Sequence, residues 1–235
     1  MNNLTKNALG LAAMLALTSA SHAATITTLF NTGVDSFGTP VATNTLDAHY
    51  VLVAGTGAAQ TGDVYVIDST TFPIASGPWT PATANSNWIG SNNTSTPGYV
   101  AIDPSAGTIN LYYETSFSMA GLDETTATIR FNWNADNNIS EFYINNTLTS
   151  YTKSNGFGTV NTVTLAPADI ALLNGGTNTF TFVVPSSSTG GPQNDYYGLN
   201  VNFTTRTADA IPEPSALGLL GIGGLAAIGL RRRRA

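Results

Sequence analysis

The chain has 235 residues, is 42% hydrophobic and only 9% charged, carries a formal charge of −6 and contains no cysteine. The missing cysteine excludes disulfides, thiolate catalysis and cysteine-based zinc sites. Five of the eight basic residues (Lys6 and Arg231 to Arg234) sit at the two ends, so residues 24–210 hold Arg130, Lys153 and Arg206 against thirteen acidic side chains, a formal −10; without clustered Lys and Arg to neutralise phosphates, no nucleic-acid partner is expected.

Residues 1–23, "MNNLTKNALGLAAMLALTSASHA", place one cation (Lys6) before an apolar run from Ala8 to Leu17 and small residues Ser21 and Ala23 around His22. That order predicts a secretory signal helix cut between Ala23 and Ala24 by signal peptidase after Sec-type export. A ten-residue apolar run is too short to span a bilayer.

From there to residue 207 the chain reads as one domain of short strands: Tyr50 to Val53, Val64 to Ile67, Leu111 to Phe117, Thr128 to Trp133, Glu141 to Asn145, Thr179 to Val184 and Leu199 to Phe203, separated by Gly, Asn, Ser, Thr and Pro clusters. In "TIRFNW" Ile129, Phe131 and Trp133 share one face; Phe142 with Ile144, and Leu199 with Val201 and Phe203, repeat the pattern. One-sided strands predict an all-β domain of two sheets packed face to face, a β-sandwich or jelly roll. "NADNN", Asn134 to Asn138, reads as a hairpin connection. "APADIALLNGGTN" reads as one helical turn with Pro167 near its start and Asn174-Gly175 at its end.

Few residues point to chemistry. His49 is the one histidine left after signal removal and has no second histidine for a metal site. Carboxylates such as Asp123, Glu124, Asp136 and Glu141 are numerous, so a glycan-acting enzyme using a carboxylate pair is an alternative, requiring a separation of roughly 5–9 Å across a cleft. No catalytic residue is assigned and no cofactor is expected, apart from a structural Ca²⁺ for which Asp136, with Asn134 and Asn138, is the candidate; a plain Asx turn is the competing reading. The aromatic residues Trp79, Trp88, Tyr196 and Tyr197 lie in Pro- and Asn-rich, loop-like sequence and are candidates for stacking on a glycan, with packing as the other account of them. Trp133, on an alternating apolar face, reads as core. Asn-x-Ser/Thr sequons at Asn92, Asn93, Asn138, Asn145 and Asn202 read as composition.

Residues 208–235 close the chain with Pro212-Glu213-Pro214, an apolar run from Ala216 to Leu230, and Arg231, Arg232, Arg233 and Arg234. The prolines stop a helix from extending upstream. Fifteen residues as a helix cover roughly 22 Å, a short transmembrane helix completed by snorkelling arginines that mark the cytoplasmic side. The order of these parts resembles the PEP-CTERM sorting signal of Gram-negative bacteria. The resemblance implies that exosortase, a membrane enzyme, reads Pro212, Glu213 and Pro214, and that the domain is delivered to the cell envelope or beyond, in association with exopolysaccharide and biofilm. "ATIRFNWNADNNISEFYINN", "LAPADIALLNGGTNTFTFVV" and "GLNVNF" are similar to a β-sandwich domain of PEP-CTERM proteins that resembles galactose-binding-like jelly rolls; where members of that group carry Asn-Gly this chain has Asn145-Asn146, and Asn tolerates the same left-handed backbone. The expected product is a non-catalytic, exported module, structural or exopolysaccharide-binding, with a ligand-free adhesin as a further alternative.

Overall fold

The structure is a computed structural model that describes residues 22–56, 58, 60–91, 108–154, 156–187 and 196–212. Eleven strands form it: β1 (Ala23–Thr25), β2 (Leu46–Leu52), β3 (Gly62–Val66), β4 (Ile89–Gly90), β5 (Thr108–Ser118), β6 (Leu122–Asp136), β7 (Glu141–Ile144), β8 (Thr147–Leu148), β9 (Asn161–Thr164), β10 (Thr177–Ser187) and β11 (Gly198–Ala210), with one short helix, α1 (Pro167–Ile170), between β9 and β10. The first and last strands reach Ala23 and Ala210, beyond the 24–207 limits read from the sequence. The all-β class is as expected, and α1 begins at Pro167 because proline's missing N–H falls where a helix has no partner for it. The predicted signal helix and transmembrane helix fall outside the described residues; among those described, no helix is long and apolar enough to cross a membrane.

The expectation of two separate sheets is corrected. The strands form one open antiparallel sheet in the order β8-β7-β10-β5-β2-β3-β4-β11-β6-β9, with β1 beside β11. Two-residue β4 is the link: Ile89 pairs with Val66 of β3 on one side and with Leu199 of β11 on the other. The alternation is still one-sided because the sheet curls until its two ends face each other. Phe131 of β6 lies 5.6 Å from Phe142 of β7 and 6.1 Å from Phe182 of β10, ring centre to ring centre. Trp133 and Phe203 complete this aromatic layer from the β6–β11 half. Each buried phenylalanine contributes roughly 1.5–3 kcal/mol by leaving water, so this seam is the chief force closing the sheet on itself.

The hairpin expected at Asn134 to Asn138 is also corrected. The neighbours of β6 are β11 and β9, and those of β7 are β8 and β10, so this segment crosses from one half of the sheet to the other. It is held by Ile139, whose N–H donates to the Lys153 carbonyl at 3.0 Å and whose carbonyl accepts from the Lys153 N–H at 2.8 Å. The actual tight hairpin joins β7 to β8, with Asn145 and Asn146 both left-handed (φ 49° and 62°), the two-residue arrangement that matches strand twist. The Asn145 side chain fastens the hairpin, donating to the Leu172 carbonyl (2.8 Å) and Asn178 Oδ1 (2.7 Å) and accepting from the Thr179 N–H (2.9 Å).

Candidate functional site on the outer face

Strands β7, β10 and β5 lie side by side, and their even alternation places a second set of residues on the face away from the core. In one row Tyr143, Thr181 and Glu114 are in register; in the next, Glu141, Val183 and Tyr112. The inward neighbours Phe142, Phe182 and Tyr113 are core, so burial of one set fixes the outward direction of the other. The loop after β2 adds a wall: the Tyr112 hydroxyl donates to the Thr56 carbonyl at 2.7 Å, and Gly55 lies so flat on the Tyr112 ring that any side chain there would collide with it. The result is a shallow cavity of about 270 Å³ lined by Val53, Ala54, Tyr112, Glu114, Tyr143, Asn146 and Thr181, below the roughly 300–1,000 Å³ of sites for drug-sized ligands.

Its polar groups are oriented by each other. Thr181 Oγ1 donates to Glu114 Oε2 at 3.1 Å, and the Tyr143 hydroxyl donates to Glu141 Oε2 at 2.5 Å. That bond to Glu141, with lesser help from burial and from the charges nearby, pushes the Tyr143 phenol up to about 12, so it remains a neutral donor at physiological pH. Among the described residues no Lys or Arg lines the cavity. Glu114 and Glu141 stand two strands and one row apart, roughly 12 Å between Cα atoms from sheet spacing. Each carboxylate is turned to its own hydroxyl neighbour. The cavity offers aromatic rings, a threonine and the Glu114 carboxylate to a small polyhydroxy molecule, with Glu141 outside the lining and held to Tyr143.

The residues singled out in the sequence lie elsewhere. Trp79 (3% exposed), Trp88 (0%) and Tyr197 (0%) are buried, which corrects their reading as glycan-stacking aromatics. Tyr197 joins the main core, whereas the tryptophans form a second small core with Ile67 and Ile74. The segment before β4 folds over the outer face of β6 and β11 and buries that face's polar residues. There the Trp79 indole N–H donates to Asp136 Oδ2 at 2.8 Å, Ser86 donates to Asn200 Oδ1 at 2.9 Å, and Gly198 is bare because a Cβ would come within 2.7 Å of the indole. Tyr196 alone of the four reaches the surface, half-buried and edge-on to Phe72 at 5.4 Å.

Asp136 is likewise a buried acceptor for an indole, and Asn134 sits against Thr80 Oγ1 at 3.0 Å. Among the described residues no cluster of three or more His, Asp or Glu side chains is placed to hold a metal. His49 stacks on Phe30 at 3.7 Å, with interplanar angle 8°, and its neighbour Asp47 is occupied by the N–H groups of Gly33, His49 and Tyr50. Burial raises the Asp47 carboxyl above its ordinary range, and the three backbone donors oppose that. These bonds fasten the loop before β2. The sequons at Asn145 and Asn202 are committed to hydrogen bonds within the fold. Asp123 caps its own turn, accepting from the Thr125 N–H and hydroxyl. Of the sorting motif, Pro212 is described; Glu213, Pro214 and Arg231 to Arg234 fall outside the described residues.

Sequence reasoning passed over Tyr112, Glu114, Tyr143 and Thr181. The signal was present in "LYYETSF", "EFYIN" and "NTFTFVV", where the polar half of the alternation, instead of the apolar half, carries them.

Comparison with known proteins identifies one segment: residues 210–234 match the PEP-CTERM protein-sorting motif. No curated protein matches the chain. Among solved structures, the β-glucosidase from Kluyveromyces marxianus in complex with glucose aligns at 13% identity, covering 69% of this chain and 18% of its own, with a TM-score of 0.29. A likeness at that level carries no argument about fold or activity. The matched motif implies export and envelope sorting by an exosortase.

Proposed function

We propose that the chain is the precursor of a non-catalytic glycan-binding module. In this reading residues 1–23 are a signal peptide, residues 216–230 an anchor helix held by Arg231 to Arg234, and exosortase acts at Pro212-Glu213-Pro214 to deliver the domain to the outer surface. There it binds exopolysaccharide of the biofilm matrix. The observation that carries the binding half is the outer-face cavity. A half-buried tyrosine ring suits the apolar C–H face of a sugar, while Glu114, Asn146 and Thr181 suit its hydroxyls.

Two experiments test the two halves. Replacing Pro212-Glu213-Pro214 by alanines is expected to leave a full-length, membrane-retained protein, whereas the native protein has a mass running from Ala24 to near Pro214; identical processing of both forms refutes the sorting half. In native gels cast with the producing bacterium's own exopolysaccharide, the domain is expected to be retarded and its Tyr143→Ala variant not. Equal migration of the two, with thermal stability unchanged, refutes the binding half.

A further inference from the structure

The strand that starts at the predicted signal cut lies beside the strand that leads into the sorting motif. Ala23 lies opposite Asp209, and Ala24 opposite Ala208. The Ala210 N–H donates to the His22 carbonyl at 3.1 Å, and one step further along the Ile26 N–H donates to the Arg206 carbonyl at 2.8 Å. On its other flank the same stretch of β11 is held by β6: Asp209 faces Asp123, Ala210 faces Leu122, and the Ile211 N–H donates to the Gly121 carbonyl at 2.9 Å. The sorting motif begins at Ala210. The last paired residues of the fold are therefore the first residues of the sorting signal.

A cut between Ala23 and Ala24 removes His22, the carbonyl partner of the Ala210 N–H, together with Ala23, the strand neighbour of Asp209. The shortened β1 keeps Ala24, Thr25 and the Ile26 bond, so the body of the sheet stays closed. Among the described residues, the Ala210 N–H then has no strand on the flank that faced β1, while the β6 flank keeps its pairing. An open strand flank is the surface on which extended-peptide recognition builds, because its N–H and C=O groups point outward in register. We propose that the flank of β11 opened by N-terminal cleavage is the docking surface for the sorting enzyme, so that removal of residues 1–23 precedes and promotes processing at the C-terminal motif. The inference rests on the export and sorting reading above. It adds an order of events and a contact surface that the motif alone does not specify.

The test retains the covering residues. Signal peptidase requires a small residue before the cut, so Ala23→Leu leaves the leader uncut or moves the cut to Ser21, and either product keeps positions 22 and 23. In pulse-labelled cells, intact mass at the C-terminus is expected to show processing slowed about 5-fold, the change in open population set by one backbone hydrogen bond of ordinary net strength. The double variant Ala23→Leu/Ala24→Pro tests the cause, since a proline in β1 cannot donate to the ladder; it is expected to restore C-terminal processing although the leader is still retained. Unslowed processing in the single variant overturns the proposal. Equal slowing in both variants also overturns it, because retention by the leader would then be the cause. A wild-type chain that keeps residues 215–235 overturns the sorting reading beneath it.

Discussion

Asn178 is fully buried where β10 begins, and its amide uses both ends. Oδ1 accepts from the Asn174 N–H (2.9 Å) and from Asn145 Nδ2 (2.7 Å), and Nδ2 donates to the carbonyls of Asn174 (2.8 Å) and Gly176 (3.1 Å). It joins the loop after α1 to the β7–β8 hairpin that carries Tyr143 and Asn146 to the site. In Asn178→Ala four bonds disappear at ~1 kcal/mol each. Two of the stranded groups keep a second partner: Asn145 Nδ2 still reaches the Leu172 carbonyl, and the Gly176 carbonyl still accepts from the Met119 N–H. Asn174 is exposed, so water recovers part of its loss. The expected cost is ~3 kcal/mol, or roughly 6–12 °C in Tm for a domain of this size. Urea denaturation of the secreted domain, with an unchanged m-value, measures it. A cost under ~1 kcal/mol would show that the loop and hairpin are held by packing, and the account of this amide as their fastening would be wrong.

The Tyr143 phenol gives a spectroscopic signature: in an ultraviolet pH titration one tyrosine should ionise near 12 and be missing in Tyr143→Phe, and Glu141→Gln should bring it down. Because that phenol is raised above its unfolded value of about 10, the stability it contributes is complete below pH ~10 and is lost as pH rises through ~12, so Tyr143→Phe should flatten the alkaline end of the stability curve. Lys153 is buried, with Nζ donating to the Thr159 carbonyl at 2.6 Å, and desolvation lowers its pKa. Its charge is therefore a penalty at neutral pH that fades as pH climbs toward 10.5; Lys153→Met should raise Tm at pH 7 by more than at pH 10.5, and a pH-independent difference would refute this. Asn146→Gly should stabilise the β7–β8 hairpin by ~0.5–1 kcal/mol, since the position is left-handed and exposed, and a loss of stability on urea denaturation would contradict the turn assignment.

What the sequence disclosed follows from what leaves a periodic trace. All seven strands expected from alternation are present, because an apolar face four or more residues long repeats at period 2. The four that were missed, β1, β4, β8 and β9, are two to four residues long and are defined by their partners. Missing β4 turned one curled sheet into two in the reading, since Ile89 of β4 pairs with both halves. Trp79 and Trp88 misled for a related reason: proline-rich sequence marks irregular backbone, but irregular backbone that lies on a sheet buries its aromatics as a strand does. The C-terminal motif was legible in full, being a linear signal of ordered parts that needs no fold.

β11 has a further consequence because it is an interior strand. It pairs with β6 from Gly198 to Ala210, with β4 on its other side at one end and β1 at the other. Tension on Pro212 runs along the axis of this thirteen-residue strand, so its ladder to β6 is loaded in shear, with all the rungs sharing the force together. An edge strand pulled sideways would peel open rung by rung. In the proposed anchored precursor, drag from the surrounding fluid is thereby borne by the β6–β11 ladder, and the cavity on β5, β7 and β10 lies on other strands.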